Sequence, residues 1–240
     1  MTHLYLIRHG ESTRQAGDIM RDEGLTPLGI KQAEHLRDRL AGTREIKADV
    51  LIASTLPRAR QTAEIIAPAI GLPILLDDEV QELRDGEAEG MHVDEFEEKY
   101  GRPDFRNNPF RPVAPGGEYW GQFTLRAATA LDRITRQYEG KSIVIVCHGG
   151  IIDSSFLYFF GMNSFSLSQT RFLTQNTSIT YWRKDYLKNS SILWRLIRYN
   201  DDFHLRDIDT PVRISWENLP YARKQEGEIS QPTAPSSSAK

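Results

Sequence analysis

Two short stretches of the sequence end in the same way. "YLIRHG", Tyr5 to Gly10, and "IVIVCHGG", Ile143 to Gly150, each carry an apolar run to a histidine followed by glycine. An imidazole at the end of a buried strand can serve as nucleophile, base or hydrogen-bond donor. A third stretch, "STLPRARQT", Ser54 to Thr62, puts Arg58 in the first turn of a helix. A lone cation is misplaced there, because the helix dipole is positive at that end, and an anion would relieve the conflict. Arg8 poses a similar problem at the edge of a core strand. Gly149 and Gly150 lead into another helix, whose free N–H groups also favour an anion. Two arginines, two imidazoles and helix N-termini around one crevice suit a phosphoryl group, because guanidinium forks match phosphate oxygens. At an effective dielectric of about 20, one charge pair at about 4 Å is worth roughly 4 kcal/mol before desolvation. An imidazole in such a place can attack phosphorus and carry the group covalently. The leaving oxygen then needs a proton. "VQELRDGEAEG" offers Glu82, Asp85, Glu87 and Glu89, of which Glu82 lies nearest a strand end and must be protonated to act.

Several elements are needed to bring these residues together. Leu4 to Ile7 reads as a first strand, and Leu25 to Gly42 as an amphipathic helix with Thr26 as N-cap, Pro27 in the first turn and Gly42 closing the end. A second strand covers Ala48 to Thr55. The helix from Leu56 to Gly71 follows, with Thr55 read as its N-cap and Pro68 and Gly71 as its stop. A third strand covers Pro73 to Val80. From Arg84 to Gly117 the sequence reads as irregular, apart from a helical piece at Val93 to Tyr100. A long helix spans Glu118 to Gly140, and the strand ending in Cys147 runs into a helix from Ile151. Gln175 to Asp185 and Ser190 to Asn200 read as two antiparallel strands. Strands alternating with helices predict an α/β fold with an open, mostly parallel sheet and helices on both faces. In such sheets ligands bind outside the carboxyl ends of the strands, so His9 and His148 are expected to share one crevice.

The bulk composition narrows the function further. With 240 residues, net charge −3 and 39% hydrophobic residues, the chain reads as one globular domain, expected over 1–224. A tail from 225 to 240, "QEGEISQPTAPSSSAK", is proline- and serine-rich and reads as disordered. The slightly acidic balance disfavours nucleic acid as a partner. One cysteine, Cys147, excludes an internal disulfide and a cysteine zinc set. No apolar run is long enough to span a membrane, and no signal peptide is visible, so cytoplasmic residence is the natural reading.

The ordered set resembles the histidine phosphatase superfamily, the phosphoglycerate mutase-like proteins. The matching pieces are "RHGES" from Arg8, "LTPLGIKQA" from Leu25, "STLPRARQTA" from Ser54, "ELRDGEAEG" from Glu82, "PGGE" from Pro115, "VCHGG" from Val146 and "NTSIT" from Asn176. The resemblance implies a three-layer α/β/α sandwich that needs no metal and no cofactor. It implies His9 as the phosphorylated nucleophile and Glu82 as proton donor. Arg8, Arg58 and His148 would bind the phosphoryl group, with Ser12, Gln15 and Gly149 as further contacts. "DGEAEGMHVDEFEEKYG" after the acid, and "NDDFHL" from Asn200, resemble the phosphatase branch more than the mutases. Gln15, Ala88 and Asp153 depart from residues common in the family, which are asparagine, tryptophan and arginine.

The expected activity is therefore hydrolysis of a small phosphorylated metabolite through phosphohistidine. A mutase passing the phosphoryl group to a second hydroxyl is the first alternative, and a phosphate-recognition module without turnover is the second. Arg102, Arg106 and Arg111, set among aromatic residues in a lid-like stretch at about 84–120, read equally as a substrate-selecting lid or a solvated loop. His3, His35, His92 and His204 read as surface or structural. Cys147 lacks the following arginine that a cysteine phosphatase needs, and reads as a core residue. The sheet edge at the last strands would permit a homodimer.

Overall fold

A computed structural model describes residues 1–162, 172–186 and 192–206. Six strands form one sheet in the order β3-β2-β4-β1-β5-β6. These are β1 (Thr2–Arg8), β2 (Val50–Ser54), β3 (Ile74–Asp77), β4 (Ser142–Cys147), β5 (Ile179–Tyr186) and β6 (Ile192–Asp201). The pairs β3–β2, β2–β4 and β4–β1 are parallel, while β5 and β6 add an antiparallel edge. The helices are α1 (Thr13–Ala16), α2 (Pro27–Thr43), α3 (Pro57–Ile70), α4 (Val93–Tyr100), α5 (Trp120–Gln137) and α6 (Gly149–Phe159).

Alternation along the strands makes the layers. In β4, Ile143, Ile145 and Cys147 pack with α5 and α6, while Val144 and Val146 pack with α2 and α3. Leu4 and Leu6 of β1 join the first core, and Ile7 joins the second. Both faces of the central strands are covered, as a parallel sheet requires. The result is the expected three-layer sandwich.

Local readings of the sequence fare unevenly. Thr26 caps α2 through Gly29 N–H at 3.0 Å, with Pro27 behind it. The end of α2 is a correction: Gly42 lies inside, and Arg44 closes the helix in a left-handed conformation at φ 52°. Thr55 does not cap α3; it accepts a hydrogen bond from Gln81 Nε2, and Leu56 stands at the cap without a side-chain bond. Pro68 sits within α3, and Gly71 ends it. The second-last strand starts later than expected, at Ile179, because Gln175 to Ser178 form a tight turn.

The stretch from Arg84 to Tyr119 is better organised than its sequence suggests. Met20, Ala88, Phe96, Val113 and Ala114 are buried together as a small separate core. Arg102 pairs with Glu97, and Arg111 bonds the Tyr100 carbonyl, so both tie the stretch to α4. The expected tail at 225–240, and the domain boundary before it, lie outside the described residues. Among those described, no helix is long and apolar enough to cross a membrane.

Candidate active site

Register explains why two distant motifs meet. β1 and β4 are parallel neighbours with Arg8 opposite Cys147, so the chain delivers His9 and His148 side by side. Their ring centroids are 5.1 Å apart. β2 ends beside them at Ser54, whose hydroxyl lies 2.8 Å from His148 Nε2. Glu82 follows β3 by a short turn. Every contribution comes from the carboxyl end of a strand, as an open α/β sheet favours.

His9 is fixed by the turn that it initiates. Its Nδ1–H donates to the Gly10 carbonyl at 2.6 Å, since a carbonyl only accepts. The Nε2 lone pair therefore faces the crevice, where it accepts from Arg58 Nε at 3.0 Å. Burial, then Arg58 and Arg8, hold the imidazole well below its usual range, so the ring is neutral near pH 7. His148 is lowered similarly, by burial first and then by Arg58, His9 and Arg8. Its Nδ1 is buried without a hydrogen-bond partner, as is Nε of Arg8. Buried polar atoms are nearly always satisfied, so two orphans in one crevice point to a ligand with acceptor oxygens.

The two helix N-termini carry a correction to the sequence reading. Each already has an acceptor oxygen, and both oxygens belong to carboxyl side chains of the chain itself. At α3, Asp22 bonds Arg58 Nη1 at 2.7 Å and lies 3.4 Å from Arg58 N–H. At α6, Glu82 Oε2 accepts from Gly150 N–H at 3.0 Å. Asp22 is locked by its own turn, accepting from Gly24 N–H at 3.1 Å, and its side chain is 5% exposed. Asp22 lies in a polar loop and carries little sign of this role in its local sequence. A misplaced Arg58 was the one available hint.

Glu82 is placed by a clamp behind it. Arg126 of α5 donates to the carbonyls of Glu79 at 2.7 Å, Gln81 at 3.0 Å and Glu82 at 3.2 Å. The same guanidinium forms a fork with Glu118 at 2.7 Å, and Glu118 in turn accepts from Arg84 N–H. Such bidentate pairs fix geometry as well as charge. Gly150 is required for the approach of Glu82, because a Cβ there would collide with Glu82 Oε1 and lie 2.7 Å from Phe123.

The rival acids are engaged elsewhere. Asp85 pairs with Arg14 at 2.6 Å, burial pushing its carboxyl up while Arg14 pulls it down. Glu87 accepts from Tyr100 O–H. Ser12 and Gln15 form a capping box on α1, and Gln15 Oε1 also accepts from Asn176 Nδ2 at 3.1 Å. Gly149 is the first residue of α6, with Arg8 Nε nearby. Cys147 is fully buried and its thiol is pushed up by burial. His92 is exposed, whereas His204 is buried.

Comparisons with known proteins place the chain in a family. The family model of the histidine phosphatase superfamily, branch 1, matches residues 4–201. The chain is 31% identical to a probable phosphoglycerate mutase of Enterobacter sp. strain 638 over 188 residues, covering 78% of this chain and 86% of that one. It is 28% identical to a metal-independent phosphoserine phosphatase of Arabidopsis thaliana over 166 residues, 65% of this chain and 68% of that one. A solved phosphoserine phosphatase of Entamoeba histolytica, in complex with 3-phosphoglyceric acid, superposes with a TM-score of 0.68 at 28% identity, covering 85% of this chain and 100% of that one. With its sheet, its paired strand-histidine corners and this match over most of its length, the chain belongs to branch 1 of the histidine phosphatase superfamily.

Proposed function

We propose that the protein hydrolyses small phosphate monoesters through a phosphohistidine on His9. The observation that carries this reading is the fixed tautomer of His9, which turns the Nε2 lone pair toward a crevice lined by Arg8, Arg58 and His148. In the first step Nε2 attacks phosphorus in line and the ester P–O bond breaks. A protonated Glu82 gives its proton to the leaving oxygen. Arg8, Arg58 and His148 balance charge on the equatorial oxygens, and Arg58 Nε transfers from the imidazole to one of them. The Gly10 carbonyl keeps its bond to Nδ1–H, stabilising the positive charge that the phosphorylated ring acquires. In the second step the Glu82 carboxylate takes a proton from water, the hydroxyl oxygen attacks phosphorus, and the P–N bond breaks. Phosphate, neutral His9 and protonated Glu82 result.

The Entamoeba relative, crystallised with 3-phosphoglyceric acid and, as a histidine mutant, with phosphoserine, supports a small hydroxy-acid or amino-acid phosphate as substrate. The similarity to a probable phosphoglycerate mutase supports the alternative, in which a second hydroxyl takes the place of water. Phosphorus NMR on a panel of phosphate monoesters with a bisphosphoglycerate primer, in EDTA, separates the two. Growth of free phosphate with wild type and none with His9→Ala is the expected result. Isomerised esters would assign the mutase reaction, and turnover by His9→Ala would overturn the phosphohistidine.

A further inference from the structure

Nothing in the mechanism above uses the "NDDFHL" segment. Its contacts nevertheless lead back to His9. Asn200 Oδ1 accepts from Gln175 N–H at 2.6 Å, and His204 Nε2 lies 2.9 Å from Thr177 Oγ1. Between those two anchors runs the turn that grips the nucleophile. Thr177 N–H donates to the carbonyls of Arg8 at 2.9 Å and His9 at 3.3 Å. Asn176 Nδ2 donates to the His9 carbonyl at 2.9 Å, and Arg8 Nη1 bonds the Thr174 carbonyl.

The backbone records the demand. Thr177 has φ 55° and Asn200 has φ 53°. A β-branched residue in the left-handed region is a genuine outlier, and such strain persists only where the surroundings over-determine it. The surroundings here include the last segment. Arg39 of α2 holds Asp201 through a fork at 2.9 and 2.7 Å and faces His204 Nδ1 at 3.5 Å. A guanidinium only donates, so His204 Nδ1 accepts and its Nε2–H points at Thr177.

We propose that His204 is a positioning residue for catalysis: its bond to Thr177 holds the left-handed turn that fixes His9 for attack on phosphorus. This rests on the proposed role of His9 as nucleophile. His204 touches no reacting atom, so its effect belongs to transition-state geometry and not to ground-state capture of phosphate. Small displacements of a nucleophile are costly at constant binding.

The test uses the full chain with p-nitrophenyl phosphate, and calorimetry with orthovanadate and inorganic phosphate as separate probes. Vanadate mimics five-coordinate phosphorus on the nucleophile, whereas phosphate needs only the cations. His204→Phe keeps the ring volume and loses both nitrogens. It is expected to lower kcat about tenfold with KM within about twofold, to weaken vanadate by the same factor as kcat, and to leave phosphate unchanged. His204→Gln, which can donate at the same place, should recover most of the loss. Thr177→Val should match His204→Phe, and the double variant should be no worse than either single. Wild-type kcat in His204→Phe, equal weakening of vanadate and phosphate, or additive losses in the double variant would each overturn the inference. Should His204→Phe fail to fold, Thr177→Val alone decides by the same readouts. A His9→Ala control keeps the two readings apart. Turnover in that control defeats the phosphohistidine itself, whereas a dead control beside an unaffected His204→Phe defeats only the positioning role.

Discussion

The two strand-histidine-glycine corners look alike in sequence and differ in the nitrogen that they leave for chemistry. At the first corner, Nδ1 is spent on the adjoining carbonyl and Nε2 is offered as a lone pair. At the second, Nε2 meets Ser54 Oγ, which itself accepts from Leu56 N–H at 3.3 Å. That leaves Nδ1 of His148 as the ring nitrogen without a hydrogen-bond partner. The two corners therefore offer opposite ring nitrogens, Nε2 at His9 and Nδ1 at His148. A histidine's role is thus written by the partner of its far nitrogen, and the local motif leaves it undefined.

That contrast can be broken first at the rings. An asparagine amide can replace an Nδ1–H donor but cannot act as a nucleophile toward phosphorus. His9→Asn is expected to lose on the order of 10³-fold or more in kcat. His148→Ala should lose about 10²-fold, and His148→Asn should recover part of that loss, as measured by steady-state turnover. Equal, unrecovered losses at both positions would erase the distinction.

The adjacent glycines sharpen it. Gly150→Ala drives a methyl against Glu82 and Phe123, so kcat should fall about 10²-fold, most steeply for alkyl esters whose leaving oxygen needs a proton. Gly149→Ala meets only Arg8 Nε at 3.9 Å and should cost under about tenfold. Comparing alkyl and p-nitrophenyl esters reads this directly.

The smallest effect is on stability. His9 and His148 are held below the imidazole value of 6.5, and His204 is lowered to about 4. Below pH 6.5 the unfolded chain therefore binds protons that the folded one refuses, so stability falls as pH falls and is fully present above that value. Each group contributes a slope of up to about 1.4 kcal/mol per pH unit. Denaturant melts between pH 7.5 and 5 should be flatter by one such share in His204→Phe. An unchanged slope would mean that the ring is not held neutral.

The layers and the crevice were legible because they follow from periodicity and chain order. The unbroken apolar run "IVIVC" specifies a strand buried on both faces, and the histidine after it must sit at the carboxyl end. His148 and Glu82 are legible from their places after strand ends, and Arg58 from its place in the first turn of a helix. Asp22 was hidden because its partner is 36 residues away and its neighbours read as a solvated loop. Arg126 was hidden too, since an arginine on a helix gives no sign in sequence of three carbonyls converging on it. Pro68 illustrates the opposite failure, where tertiary packing tolerates what local propensity forbids near a helix end.

The parallel register of β1 against β4 also governs which changes in chain length the site can absorb. Side chains alternate faces along a strand, so deleting one residue between Ser142 and Cys147 would turn the following histidine toward the opposite layer. Loops entering these strands at their amino ends can lengthen at little cost, because they lie at the far edge of the sheet from the crevice. Insertions and deletions in descendants of this chain should therefore gather at that far edge, with the two short runs ahead of His9 and His148 kept at constant length.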